Sequence, residues 1–336
     1  MHRGARAPTR SGPGKLRHRY GAMLPFPRRA GGRAPASRLM ILCLGEALVD
    51  MISERRVGSL GEVDCFRPHF GGALANAAIA ARRAGAKSGL AGGAGDDDWG
   101  RWLADRLDRE EVDLRFFTLV PGAETPVAFA TFDRRGDPSF QIYGGIAAAV
   151  ESVEERLDEA IEAASAFVFT STTLAGSGEA RVTRRARELA LARGVRVCFD
   201  PNIRPSRWGG ELRPAVEASQ ALVPGSFLVR ANRDEATAIT GVPDPRGAAA
   251  QLVAMGAKLA VVTLGVEGAV MRGAADAELP AAEVDVVSTL GAGDAFMGTL
   301  VGGLAVRDWD ASRGGEALGP ALDAAADACT RWSALA

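Results

Sequence analysis

The chain has 336 residues, 47% of them apolar, which is enough to bury a large core in a single α/β domain. Residues 1–38 carry ten Arg or Lys and no acid, so the chain's 40 basic residues fall to 30 beyond that point, against 41 acidic ones. The remainder carries a net charge of −11, which argues against nucleic-acid binding by the folded part, and no apolar stretch reaches the roughly eighteen residues of a membrane span.

The first 38 residues are rich in Arg, Pro, Gly and Ala and show no apolar period. They are expected to be disordered. Three readings stay open for this basic tail. It is sequence upstream of a true start at Met40, an organelle transit peptide, or a basic interaction arm. It lacks the apolar core of a secretory signal. The cysteines are Cys43, Cys65, Cys198 and Cys329, with no Cys-x-x-Cys pair. Those in strand-like runs, such as Cys43 in "ILCLGE" and Cys198 in "VRVCFD", read as small core hydrophobes; the set implies a reducing compartment without a disulfide framework, and the expected location is the cytoplasm. Of the three histidines only His69 lies outside the tail, too few for a His-based metal site or triad.

From Met40 the elements run in order. "MILCLGEALVDMI" reads as a first strand with Asp50 near its end. Residues 112–145 read as strands without a helix, "VDLRFFTLV", "TPVAFATFD", a turn "RRGDP" and "SFQIYGG", and "RVGSLGEVDCFRPHF" (56–70) goes with them. They predict a small accessory sheet that serves as a lid, or a plain hairpin extension. Elsewhere short apolar runs ("SAFVFTS", "VRVCFD", "SFLVRAN", "LAVVTLG", "EVDVVS") alternate with helical patterns such as "GEARVTRRARELALARG". That rhythm predicts βαβ units and a mostly parallel sheet covered on both faces.

Gly-Ala-Gly-Asp occurs twice, in "AGGAGDDDWG" (91–100) and in "STLGAGDAFMG" (288–298). Both come after apolar runs and precede helical patterns, where backbone N–H groups and the helix dipole favour anions. The first continues into Asp96, Asp97 and Asp98, which would repel a polyphosphate and are expected to cap the next helix. The second has a single acid. Gly291, Ala292 and Gly293 let the backbone approach a transferring phosphoryl group, and Asp294 can take a proton from an attacking hydroxyl. Asp294 as a plain helix cap is the competing reading. No Walker A motif succeeds a strand, and no protein-kinase catalytic loop is present.

The wider context resembles the ribokinase-like (PfkB) carbohydrate kinases, and within them the fructokinases, from Met40 nearly to the C-terminus. Six segments carry the likeness besides the first strand: "FGGALANAAIAARRAG" (70–85), "GAGDDDWG" (93–100), "FDPNIRPSRW" (199–208), "ANRDEATAITG" (231–241), "VVTLGVEGAV" (261–270) and "STLGAGDAF" (288–296). The resemblance implies a three-layer α/β/α sandwich with a mostly parallel central sheet and a small β-sheet lid, spanning 39–336. It implies ATP-dependent phosphorylation of a primary hydroxyl of a small sugar, D-fructose first and 2-keto-3-deoxygluconate second. Ribose or a nucleoside comes after these.

By resemblance Asp294 is the catalytic base, and Gly291, Ala292 and Gly293 form the anion hole. Asp50, Gly71, Gly72 and Asn76 bind the sugar, with Arg204 meeting a substrate carboxylate or phosphate. Asn232, Thr263, Gly265 and Gly268 line ATP, and Glu235 organises Mg²⁺ through water. Taken alone, Asn232-x-x-Glu235 is equally a capping box. The second signature begins with Ser288 where relatives carry an Asp that helps hold a monovalent cation, so K⁺ activation is in doubt. The exposed lid strands could pair two copies into a homodimer. From another class, a non-catalytic sugar- or nucleotide-binding regulator on the same fold draws only on Ser288, and the intact Asp294 with its glycines argues against it. A nucleic-acid binder draws only on the tail.

Overall fold

The computed structural model describes residues 40–133 and 138–334. The basic tail and most of the "RRGDP" turn lie outside the described residues.

The strands in chain order are β1 (Met40–Glu46), β2 (Leu48–Arg56), β3 (Arg67–Gly71), β4 (Lys87–Gly95), β5 (Phe117–Val120), β6 (Val127–Phe132) and β7 (Pro138–Tyr143). They continue as β8 (Ala164–Thr170), β9 (Arg196–Asp200), β10 (Leu228–Asn232), β11 (Leu259–Thr263), β12 (Ala269–Gly273) and β13 (Ala277–Leu279). Among the described residues nine of them form a central sheet in the order β13-β12-β11-β10-β9-β8-β1-β4-β5, parallel except where β12 meets its neighbours. The other four form a small sheet, β3-β2-β6-β7.

The period of two in β1 explains the three layers. Ile41 and Cys43 face a core shared with the Ala73–Arg83 and Ala292–Ala305 helices. Leu42 and Leu44 face the opposite core, shared with the Ser177–Ala192 and Pro245–Ala254 helices. No helix among the described residues is long and apolar enough to cross a membrane.

Three expectations are corrected. The "MILCLGEALVDMI" run is two strands: β1 belongs to the central sheet, and after Ala47 the chain passes into the small sheet as β2. Burial continues on both sides of the hand-over, so the apolar pattern does not mark it. Of the expected lid strands, "VDLRFFTLV" joins the central sheet instead, with β5 parallel to β4 and Gly92 opposite Phe117. The Asp98–Arg109 helix makes this stretch an ordinary βαβ crossover. Within 56–70 only β3 is a strand, and a short exposed 3₁₀ turn, Leu60–Glu62, precedes it. "EVDVVS" forms no strand: the Val287 and Ser288 amides both donate to the Cys329 carbonyl, at 2.8 and 3.3 Å, rather than to a neighbouring strand.

Candidate active site

A cavity of about 500 Å³ opens beyond the carboxyl ends of β9, β10 and β11, lined by Arg204, Asn232, Glu235, Thr263, Gly291 and Asp294 among others. Open α/β sheets bind ligands at this end. An adjoining cavity of about 170 Å³ is mostly apolar, with Gly265, Gly268, Val284, Phe296 and Ala325 in its wall. The two cavities meet at the second Gly-Ala-Gly-Asp.

Gly291 caps the Ala292–Ala305 helix with φ 75°, a left-handed conformation that favours glycine. A Cβ there would also collide with Ala334. Ala292 N donates to the Thr289 carbonyl at 3.4 Å and Ala295 N to the Gly291 carbonyl at 2.9 Å, which leaves the Gly293 and Asp294 amides as donors at the cavity wall. Asp294 sits in that first turn. Its Oδ2 accepts a hydrogen bond of 3.0 Å from Asn76 Nδ2 on the Ala73–Arg83 helix. The two helices come this close because small residues face each other. A Cβ on Gly298 would overlap the Ala77 carbonyl and Ala80, and one on Gly302 would press on Ala81 and Ala84.

Asp50 lies on β2, only 7% exposed. Gly71, on the neighbouring β3, leaves room that a Cβ would fill against the Asp50 carboxylate. Gly72 has φ 107° and passes so near Glu46 that a Cβ would lie 2.5 Å from its carbonyl oxygen. Burial pushes the Asp50 carboxyl up to about 8, with the Asp294 charge adding to the shift and Arg204 opposing it. Burial likewise raises Asp294, while the Asn76 hydrogen bond, Arg204 and Arg230 pull it down. Glu46, at the end of β1, is pushed up to about 7, again chiefly by burial. Arg204 lies with its guanidinium 5.8 Å from the ring centre of Phe140, on β7.

Asn232 and Glu235 form a reciprocal cap: Glu235 N donates to Asn232 Oδ1 at 2.9 Å, and Asn232 N donates to Glu235 Oε2 at 3.0 Å. Glu235 Oε1 accepts from Ile203 N at 2.8 Å. Both carboxylate oxygens are thus engaged by backbone amides. Among the described residues no cluster of three or more His, Cys, Asp or Glu side chains could hold a metal directly. The donor set fits a divalent ion that keeps most of its waters and takes its other oxygens from phosphate.

Thr263 ends β11, and Gly265 (φ 60°) and Gly268 (φ 97°) turn the chain into β12. Ser288 is fully buried; its Oγ donates to the Trp332 carbonyl at 3.3 Å and accepts from Leu290 N at 3.1 Å. Directly after the first Gly-Ala-Gly-Asp, Asp97 caps the Asp98–Arg109 helix by accepting from Gly100 N at 2.8 Å, as the acid run implies.

Several residues beside the site escape a reading by motif. Arg230 on β10 pairs with Asp200 at the end of β9, Nη1 to Oδ2 3.1 Å. Arg207 pairs with Glu179 at 3.1 Å, and the charges of both act on Glu46. One signal was available: Arg230 is a charge inside the apolar run "SFLVRAN".

A profile of the pfkB family carbohydrate kinases matches residues 38–326. The chain belongs to that family. It is an ATP-dependent sugar kinase with the ribokinase-like fold. Fructokinase-1 of Zea mays is 31% identical over 277 residues, 79% of this chain and 83% of the relative. The pfkB kinase also superimposes on solved structures. A fructokinase with bound ATP from Xylella fastidiosa matches at TM-score 0.74 and 28% identity, over 89% of this chain and 94% of that one. A fructokinase from Vibrio cholerae, solved with fructose, ADP and calcium ion bound, matches at TM-score 0.74 and 25% identity, over 89% and 95%.

Proposed function

We propose that this pfkB kinase transfers the γ-phosphoryl group of ATP to a primary hydroxyl of D-fructose. The observation that carries the reading is Asp294, half-buried and bonded to Asn76 at the head of a glycine-led helix that faces the larger cavity. The names of the relatives favour fructose among sugars.

In this reading the sugar lies against Asp50, Gly71, Gly72 and Asn76, with its primary hydroxyl at Asp294. Hydroxyls that donate to Asp50 favour its ionised form and offset the cost of burial. The hydroxyl oxygen attacks the γ-phosphorus in line, its proton passes to Asp294, and the bond to the ADP oxygen breaks. Amides of the Gly291–Asp294 turn hold the charge on the transferring oxygens. The apolar cavity takes the base of ATP, and Thr263, Gly265, Gly268 and Asn232 border its phosphates. A Mg²⁺ ion, with Glu235 reached through its waters, would neutralise phosphate charge.

Arg204, at the cavity wall beside Phe140, supports 2-keto-3-deoxygluconate as a second reading, since its fork suits a carboxylate. Two further proposals accompany the activity. Phe66, Phe129 and Tyr143 meet edge to face at the small sheet, with Tyr143 54% exposed, which suits a homodimer through the lid. The free cysteines suit a reducing compartment such as the cytoplasm.

The test is ADP release by the purified chain with ATP and Mg²⁺ on D-fructose, 2-keto-3-deoxygluconate, D-ribose and adenosine, beside Asp294→Asn. Turnover on fructose that falls by orders of magnitude in the variant, with ATP binding kept, is expected. Near-normal turnover in Asp294→Asn removes the base assignment, and silence on fructose with turnover on another acceptor replaces the sugar.

A further inference from the structure

Arg230 is a full charge inside a strand whose neighbours Val229 and Ala231 are completely buried. Its side chain is 12% exposed and that of its partner Asp200 only 6%. Burying such a pair is costly, and well-packed apolar residues would often serve stability as well. The placement of this pair therefore asks for another reason.

The guanidinium is held from several sides. Nη1 contacts Asp200 Oδ2 at 3.1 Å, Nη2 donates to Thr263 Oγ1 at 2.8 Å, and the plane lies 5.8 Å from the Phe296 ring centre. Nε is buried with no hydrogen-bond partner. A Cβ on Gly293 would lie 2.8 Å from Nη1, so the backbone of the second Gly-Ala-Gly-Asp rests directly on the guanidinium. Arg230 also borders both cavities, at the place where they meet. The surrounding acids Asp200, Glu235 and Asp294 all act on it. A polyphosphate that enters there meets those carboxylates, and a fixed cation beneath the turn offsets them.

We propose that Arg230 is a positioning residue for phosphoryl transfer: it forms the charged floor of the Gly291–Asp294 turn, with Asp200 and Thr263 holding its fork in place. This rests on the reading of that turn as the phosphoryl site. The fork matters as much as the charge, because only a guanidinium reaches Asp200 and Thr263 at once. Gly293 is then glycine because the guanidinium occupies the space of its side chain.

The experiment compares Arg230→Ala, Arg230→Lys and Asp294→Asn in the full chain, with circular dichroism and thermal unfolding as folding controls. Arg230→Ala is expected to lose about a hundredfold in kcat, the scale of one lost electrostatic donor, with the sugar KM within about threefold. Guanidinium chloride below denaturing concentration should restore part of that turnover and none in Asp294→Asn. Should Arg230→Ala not fold, Arg230→Lys decides, with at least a tenfold loss in kcat expected at unchanged sugar KM (about tenfold being one lost neutral contact). Wild-type kcat in either folded variant overturns the proposal, as does a loss in Arg230→Ala that guanidinium leaves untouched. Normal turnover in Asp294→Asn instead sinks the reading of the turn itself, so the two failures are told apart.

Discussion

Asn76 and Asp294 stand 218 residues apart in the chain, and the amide of one donates to the carboxylate of the other at 3.0 Å. The bond favours the ionised acid, against burial, which raises its pKa. In the proposed role of base Asp294 works only when ionised, so the acid limb of kcat/KM is expected to report this balance. Asn76→Ala removes the restraining bond, and the limb is expected to move to higher pH. A hydrogen bond to a charged group, about 1.5–3 kcal/mol, corresponds to roughly one to two pH units. The pH–rate profile of the variant is the measurement, and an unmoved limb would mean that Asp294 is not the titrating group.

The same pair depends on helix packing. Gly298 faces Ala77 and Ala80 with no space for a side chain. Gly298→Val is expected to force the Ala73–Arg83 and Ala292–Ala305 helices apart, at a cost of about 1–3 kcal/mol. Turnover should fall with it, although Gly298 touches neither cavity, because the Asn76–Asp294 bond lengthens. Thermal unfolding and kcat measured together check this; a lower Tm with full turnover would show that the pair tolerates the shift.

Much of this was legible in the sequence where chemistry is local. The two copies of Gly-Ala-Gly-Asp were separable by the residues on their C-terminal side, because Asp97 caps through its own helix and Asp294 does not. The capping box at Asn232 and Glu235 was likewise a matter of spacing. The hidden features were set by pairing at a distance. Nothing in the run from Met40 to Ile52 marks Ala47 as the passage between sheets, since burial continues unbroken from Met40 to Asp50 across it, the acids Glu46 and Asp50 included. Phe117–Val120 looks like any edge strand until β4 is placed beside it. Arg230 reads as a flaw in an apolar strand until Asp200 and Gly293 are brought against it.

Asp50 makes stability depend on pH in a direction opposite to that of most carboxylates. Its pKa rises from an ordinary carboxylate value of about 3.9 to about 8 in the folded chain, through burial first and the Asp294 charge second. Between those values the folded protein holds a proton that the unfolded chain has released. Stability of the ligand-free protein is therefore full at the low end of this window and lost as pH rises towards 8. Glu46, raised to about 7, adds to the same slope. Asp50→Asn should flatten the fall in Tm between weakly acidic and weakly alkaline pH. An identical slope in the variant would assign the dependence to other groups.

Ser288 bears on whether a monovalent cation matters. Its buried hydroxyl already donates to the Trp332 carbonyl and accepts from Leu290 N, next to the glycine that caps the helix. Val287 and Ser288 are tied by their amides to Cys329, so protein hydrogen bonds fasten this turn. Replacement of K⁺ by a large organic cation at equal ionic strength is expected to change turnover by less than about twofold. Ser288→Ala, which takes a hydrogen-bond partner from the half-buried Leu290 amide, should instead cost about 1 kcal/mol and lower kcat as the turn loosens. Strong K⁺ activation together with an unaffected Ser288→Ala would reverse the assignment, because the turn would then be held by a cation on other oxygens and not by this hydroxyl.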